Sequence, residues 1–237
     1  MSSSIKLLTF DLDDTLWHTK PVLIKAEQAL YQWLSEHCPA LTDLYSLKAL
    51  FEYRLNIAAS FPQWAHDPTK LRIETLRRAL LQTGIGREKA NQLALDAFDI
   101  FIDHRNRIEL FDDVEEVMNK LKQQYTIIAV SNGNSDLKRI GIEHLFDEHF
   151  SAEKVGKAKP DPEMFLKAFE SSGYDAQQAI HIGDHPTEDI LTAQNLGMKT
   201  IWYNAPCRSK EWKENFQPQK TATNFLELEN HIAALSI

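Results

Sequence analysis

The chain has little cysteine: Cys38 and Cys207 are the only two among 237 residues. They lie far apart with no C-x-x-C spacing, which excludes a disulfide framework and a zinc knuckle and leaves both as structural or incidental residues. No apolar run approaches the roughly 20 residues that span a bilayer. The opening "MSSSIKLLTF" has neither the apolar length nor the cleavage pattern of a signal peptide, so the expected location is cytoplasmic. Positive charge is in deficit, with 26 Lys and Arg against 34 Asp and Glu and a formal net charge of -8. That is the wrong sign for a general binder of nucleic acid or anionic membrane. An anionic substrate would need a local positive patch or a metal. Neither G-x-x-x-x-G-K-[ST] nor G-x-S-x-G occurs, which removes P-loop enzymes and α/β-hydrolases, and there are no internal repeats or low-complexity segments.

What is present is a 43% hydrophobic chain, enough to fill the core of one large domain or of a domain plus a smaller one. Short apolar, β-rich runs occur at 6–10, 126–131 ("TIIAVS"), 179–183 ("AIHIG") and 199–203 ("KTIWY"), each near a helical pattern. Such alternation predicts a parallel sheet covered by helices on both faces, an α/β class. "DDVEEVMNKLKQQ" puts Val114, Val117, Met118 and Leu121 on one stripe, and "DPEMFLKAFESSG" offers Asp161 as a cap, Pro162 at the first turn and Gly173 past the end.

The interval from 17 to 108 shows helical periodicity at roughly 21–37, 43–60, 68–82 and 87–106 and no convincing strand. A βαβ crossover needs a dozen or more residues and usually one helix, so this stretch reads as an inserted helical domain. The expected division is a core of 1–16 and 109–237 with a helical domain of 17–108. The insertion starts just after the first strand, where ligands of open α/β sheets bind, and a domain rooted there would act as a lid.

"KLLTFDLDDTLW" ends an apolar strand in Asp11, Asp13 and Asp14. A solvated turn would explain three aspartates in isolation. A calcium loop fails, because Leu16 and Val22 stand where Gly and Glu are required. Three other presumed strand ends carry polar groups. "SNGN" supplies the Ser131 hydroxyl and amides near Asn132 and Gly133, "GKAKPDPEMF" supplies Lys159 before Pro160, and "HIGDHPTED" supplies Asp184 and Asp189. Taken singly, each has an ordinary explanation as a turn, a surface charge or a helix-dipole partner. His181 and His185 have zinc-pair spacing, but one falls inside a strand and the other beyond it, so that pairing is rejected.

Jointly the groups answer one chemical requirement. Asp11 and Asp13, two apart at a strand end, point to one side and can join Asp184 around a hard cation such as Mg²⁺. Ser131, the amides near Asn132 and Gly133, and Lys159 can surround phosphate oxygens.

The ordered set DLDDT, SNG, KP and GDHPTED resembles the haloacid dehalogenase-like hydrolase superfamily, over roughly residues 5 to 205. That resemblance implies a Rossmann-like core with an α-helical cap of the C1 type. It implies Asp11 as the nucleophile that becomes an aspartyl phosphate and Asp13 as general acid, then base. Mg²⁺ would be held by the Asp11 carboxylate, the Asp13 carbonyl and Asp184, with Asp189 in support. Ser131 and Lys159 would bind phosphate, and Lys159 would also restrain Asp11. Dehalogenating members resemble a variant without the second aspartate or the metal, so Asp13 favours a phosphatase. Asp14-Thr15, where mutases commonly have Gly-Val, favours hydrolysis. Overall, including "HDPTKLRIETLRRALLQTG" in the helical insertion, the chain is similar to bacterial members that remove phosphate from flavin mononucleotide or the flavin precursor 5-amino-6-(5-phosphoribitylamino)uracil.

The expected partner is therefore a small-molecule phosphate ester, with no nucleic acid and no membrane. Trp17, His18, Trp64, Lys70 and Arg72 are candidate substrate contacts on the cap and its hinges. Two other classes remain open: a phosphotransferase or mutase of the same superfamily, and a receiver-like module that phosphorylates on aspartate without turnover. Repeated turnover of p-nitrophenyl phosphate separates the last from an enzyme.

Overall fold

The computed structural model describes residues 4–206 and 211–236; Cys207 lies outside the described residues. Its sheet is formed by β1 (Leu7–Phe10), β2 (Thr126–Ser131), β3 (Glu148–Ser151), β4 (Ala179–Gly183), β5 (Lys199–Tyr203) and β6 (Lys220–Ala222). All neighbours are parallel and the order is β3-β2-β1-β4-β5-β6. This is an α/β, Rossmann-like arrangement, as the alternating pattern predicts. The order reverses between β1 and β4, and a crevice opens beyond the carboxyl ends of strands at such a reversal. Asp11 follows β1 and Asp184 follows β4 directly, so the topology itself brings the two carboxylates to one place.

The helices in chain order are α1 (Thr19–His37), α2 (Pro39–Leu44), α3 (Leu47–Ser60), α4 (Pro68–Leu81), α5 (Arg87–Arg105) and α6 (Val114–Lys122). They continue with α7 (Leu137–Ile140), α8 (Ala152–Val155), α9 (Glu163–Ser172), α10 (Thr192–Asn195) and α11 (Leu226–Leu235). The apolar stripe of α6 is wholly buried, at Val114, Val117, Met118 and Leu121. Helix α9 starts at Glu163, whose amide donates to Asp161 Oδ1 at 3.1 Å, and stops at Gly173, whose φ of 73° is left-handed backbone that glycine adopts freely. Leu7, Ile128, Val130, Met164, Phe165, Ala168 and Met198 form one packed cluster of sheet and helix residues.

The chain divides into two compact units. Of the described residues, the first takes in those up to His18, Glu109–Gly133 and those from Gly141 onward. The second is Thr19–Ile108 together with Asn134–Ile140. In the helical unit α1 and α4 pack on α5, around Ala26, Leu30, Leu34, Leu76, Leu80, Leu93 and Phe101. One helical span predicted over 43–60 is instead two helices. Tyr45 is extended and the Ser46 hydroxyl caps α3 by accepting from the Ala49 amide at 3.2 Å, which fixes a new start there. Asn134–Ile140 joins this unit through hydrogen bonds. Asn134 Nδ2 donates to Thr69 Oγ1 at 3.2 Å, Arg105 Nη2 to Ser135 Oγ at 2.8 Å, and the Asp136 amide to Asn106 Oδ1 at 2.8 Å. Among the described residues no helix is long and apolar enough to cross a membrane.

Candidate active site

Strand β1 is buried along its whole length and ends at Phe10, so the aspartates lie in the loop beyond it. That loop is compact. The amides of Thr15 and Leu16 donate to the Leu12 carbonyl at 3.2 and 2.8 Å, and Asp14 takes a left-handed φ of 65° while its amide donates to the Trp17 carbonyl at 2.9 Å. Asp11 is buried, and both of its carboxylate oxygens accept protein hydrogen bonds. Lys159 Nζ donates to Oδ1 at 2.7 Å and Thr15 Oγ1 to Oδ2 at 3.1 Å. Thr15 is fully buried, a polar residue four places after Asp11 that sequence reasoning passed over.

Lys159 is no surface charge: its side chain is 1% exposed. The ammonium donates to Asp11 Oδ1, to the Val130 carbonyl at 2.8 Å and to Asp189 Oδ1 at 2.6 Å, which satisfies all three of its protons. Burial alone would push its pKa down, but Asp11 and Asp189 outweigh burial and hold it above the usual lysine value. Asn132 grips the lysine's own backbone from both sides. Its Oδ1 accepts from the Lys159 amide at 2.7 Å, and its Nδ2 donates to the Lys159 carbonyl at 3.0 Å and to Glu188 Oε2 at 2.9 Å. The Asn132 side chain thus positions Lys159. Ser131 closes β2, and its hydroxyl accepts from the Gly133 amide at 3.0 Å, a tight turn at the strand end.

Asp184 follows β4, and its carbonyl accepts from Trp202 Nε1 at 2.8 Å. Asp189 returns to the strand end through a widened π-helical turn over Pro186–Leu191, in which the Ile190 amide donates to the His185 carbonyl at 3.3 Å. The carboxylate packs so tightly on Gly183 that a Cβ there would sit 2.4 Å from Asp189 Cγ, so no larger residue fits. Asp189 accepts from Lys159 and His181 on Oδ1 and from the His185 amide on Oδ2 at 2.9 Å. Burial would raise its pKa, but Lys159 and His181 prevail and hold it well below the ordinary carboxylate value. Asp11 goes the other way. Burial, aided by Asp189 and Asp184, lifts it well above the ordinary value against the pull of Lys159. A carboxyl whose charged form is disfavoured by burial first and by neighbouring carboxylates second is one that an added cation would relieve.

Asp11, Asp184 and Asp189 present oxygens within 4.8 Å of one another, a donor set that suits a hard divalent cation. Asp189 accepts three protein hydrogen bonds and Asp11 two, so Asp189 is the more firmly held of these two carboxylates. The Asp13 carboxylate lies outside that group; its Oδ1 accepts from Trp17 Nε1 at 3.0 Å. Trp17 is fully buried, a fixed partner of Asp13. His18 packs edge-on against Phe111 at 4.6 Å. Arg72 lies within the helical unit, where its guanidinium donates to Glu27 and covers the Phe101 ring at 3.4 Å. In the same unit Trp64 stacks on Phe61 at 4.3 Å, with Lys70 Nζ 5.2 Å from the Trp64 ring centre.

A family model for haloacid dehalogenase-like hydrolases matches residues 5–197. The chain is a haloacid dehalogenase-like hydrolase. Among its curated relatives is 5-amino-6-(5-phospho-D-ribitylamino)uracil phosphatase YigB of Escherichia coli (strain K12), 29% identical over 84% of this chain and 83% of that protein. The phosphoserine phosphatase of Thermus thermophilus is 26% identical over 87% and 92% of the two chains. Of the solved structures, a 2-haloacid dehalogenase from Pseudomonas syringae pv. Tomato DC3000 superposes with a TM-score of 0.91 at 37% identity, covering 97% of this chain and 99% of that one. This haloacid dehalogenase-like hydrolase therefore shares its fold with proteins named for two chemistries, and the choice between them rests on the residues of the site.

Proposed function

We propose that the chain is a phosphomonoester hydrolase that works through a phosphoryl group carried on Asp11. The observation that carries the reading is the buried Lys159 ammonium 2.7 Å from Asp11 Oδ1, in a cluster of carboxylates that includes Asp184. Asp11 attacks phosphorus, the bond to the leaving oxygen breaks, and Asp13 supplies the proton that makes that oxygen an alcohol. Water then attacks the aspartyl phosphate, Asp13 takes the water's proton, and inorganic phosphate leaves. Trp17 holds the Asp13 rotamer for both transfers. Lys159, Ser131 and the amides of the Asn132–Gly133 turn bind the phosphoryl oxygens, the Gly133 amide giving up its bond to Ser131 Oγ and Lys159 its bond to Asp11 Oδ1 to do so, and Asn132 keeps Lys159 in register. Mg²⁺, held by Asp11, Asp184 and the Asp13 carbonyl, would neutralise charge on the phosphoryl group.

For the substrate, the similarity to the Escherichia coli phosphatase supports 5-amino-6-(5-phosphoribitylamino)uracil or flavin mononucleotide, turned over in the cytoplasm. The 37% identity to a structure named as a 2-haloacid dehalogenase favours a second reading, cleavage of a carbon–halogen bond by the same nucleophile. Asp13 speaks against it, since that hydrolysis has no leaving alcohol to protonate. Phosphate release should be measured across these two flavin compounds, sugar phosphates and nucleotides, with Mg²⁺ and with excess chelator, beside halide release from 2-chloropropionate. Mg²⁺-dependent phosphate release is expected, abolished by chelator. Halide release without phosphatase activity would overturn the reading.

A further inference from the structure

We propose that His181 is a positioning residue for the nucleophile, acting through a closed ring of hydrogen bonds that begins and ends on the β1 segment. It rests on the proposed role of Asp11. His181 occupies the middle of β4 with no exposed surface and is the direct register partner of Thr9 in β1. Its Nδ1 lies 2.9 Å from Thr9 Oγ1, its Nε2 lies 3.2 Å from Asp189 Oδ1, and the edge of the ring contact with Phe165 closes its remaining side at 4.8 Å. From Asp189 the path continues through Lys159 Nζ to Asp11 Oδ1. Thr9 and Asp11 are two residues apart, so the ring Thr9, His181, Asp189, Lys159, Asp11 closes through the backbone.

The chemistry of the ends fixes the proton positions. An ionised Asp189 only accepts, so His181 Nε2 carries hydrogen and donates to it; Nδ1 then accepts from the Thr9 hydroxyl. A neutral imidazole satisfies both neighbours in one tautomer, with no unpaired polar atom in the ring. That makes the imidazole a rigid post behind Asp189. Without it Asp189 keeps Lys159 but loses a second donor on Oδ1, and the lysine that aims Asp11 gains freedom. Misplacing an attacking atom is costly even when every binding group remains. The expected signature is therefore a loss in kcat with little change in KM.

The test uses the full chain with p-nitrophenyl phosphate and Mg²⁺. His181→Phe keeps the ring volume and should lower kcat by about 10- to 100-fold, the usual range for partners that orient a site's ligands, with KM within about threefold. His181→Gln, whose amide can donate to Asp189, should recover a substantial part of that loss. Added to Asp189→Asn, His181→Phe should cost little more, because both break one path. Thr9→Val removes only the partner of Nδ1 and serves if His181→Phe fails to fold; it should lower kcat in the same direction. Independent of turnover, ¹⁵N-histidine spectra should show His181 as the Nε2–H tautomer, with Nδ1 shifted by Thr9→Val. An Nδ1–H or doubly protonated ring, kcat within threefold of wild type in folded His181→Phe, or strict additivity with Asp189→Asn would overturn the proposal. A wild type that hydrolyses no phosphomonoester would instead remove the function reading and leave the spectra to decide the ring.

Discussion

Each unit of this protein buries a cluster of charge, and the two clusters are built differently. In the α/β unit one ammonium, Lys159, sits between Asp11 and Asp189, and every proton it has is accepted. In the helical unit two guanidiniums, Arg54 and Arg72, share the single carboxylate Glu27 at 2.8 and 2.7 Å, and Arg72 Nε has no hydrogen-bond partner. The electrostatic consequences are opposite. Lys159 is driven further toward its charged form, whereas burial and then the charge of Arg54 bring Arg72 down to about 10. Phe101, beneath the Arg72 guanidinium at 3.4 Å, supplies part of the compensation that the lone carboxylate does not. A saturated, rigid cluster suits positioning of a reacting atom. A cluster with one orphaned donor suits packing between helices, where stability tolerates its replacement.

The sharpest break in that comparison comes from the nucleophile. Asp11→Asn keeps the side-chain shape but removes the attacking carboxylate, so turnover should fall by on the order of 10³-fold or more while the circular dichroism spectrum stays native. Retained turnover in pure protein would strip the α/β cluster of its chemical role. Next in size is a matched pair of stability measurements in chelator. Lys159→Met leaves two buried carboxylates without their cation and should cost about 3–5 kcal/mol in denaturant unfolding, whereas Arg72→Met leaves Glu27 with Arg54 and should change stability by about 1 kcal/mol or less. Equal costs would mean that saturation is not what separates the clusters.

A steric change sharpens the same point. Gly183→Ala forces a methyl against Asp189 Cγ, at 2.4 Å in the present geometry, and should lower kcat by about 10- to 100-fold. The smallest effect is in acid. Asp189 is held below its ordinary 3.8, so its stabilising contribution is complete above that value and is lost as pH falls through it toward the folded-state value. Denaturation midpoints of Asp189→Asn in chelator should therefore fall less steeply below about pH 4 than those of wild type, by at most about 1.4 kcal/mol per pH unit for one proton. Parallel acid slopes would show that Asp189 is not held in its charged form by this cluster.

Much of the architecture was legible because apolar runs and turn residues are local signals. The runs at 126–131, 179–183 and 199–203 match β2, β4 and β5, and the α6 stripe is buried as its spacing requires. Strands β3 and β6 were not read. "EHFS" and "KTA" are short, polar and partly exposed, and what makes them strands is pairing with β2 and β5. Thr9 and His181 did leave a signal: each is polar within a strand whose every residue is buried, and such a residue needs a partner inside.

The sequence by itself determined the residue types and the order in which strand ends deliver them, because side-chain chemistry and hydrophobic period are written along the chain. The resemblance of the ordered motifs already pairs Lys159 with Asp11, and only the tertiary structure decided how deeply each charge is buried and which partners hold it. Lys159 and Asp11 are 148 positions apart, and nothing near either residue tells a solvated lysine from one with a side chain 1% exposed. The same holds for the division of labour among the aspartates. Asp13 turns to Trp17 while Asp189 is locked against Gly183 by three donors, an outcome set by the reversal of strand order at β1 and β4 and by the space a missing Cβ leaves. Burial and partner geometry are properties of the folded surface each group meets, and they fix its ionisation and hence its role.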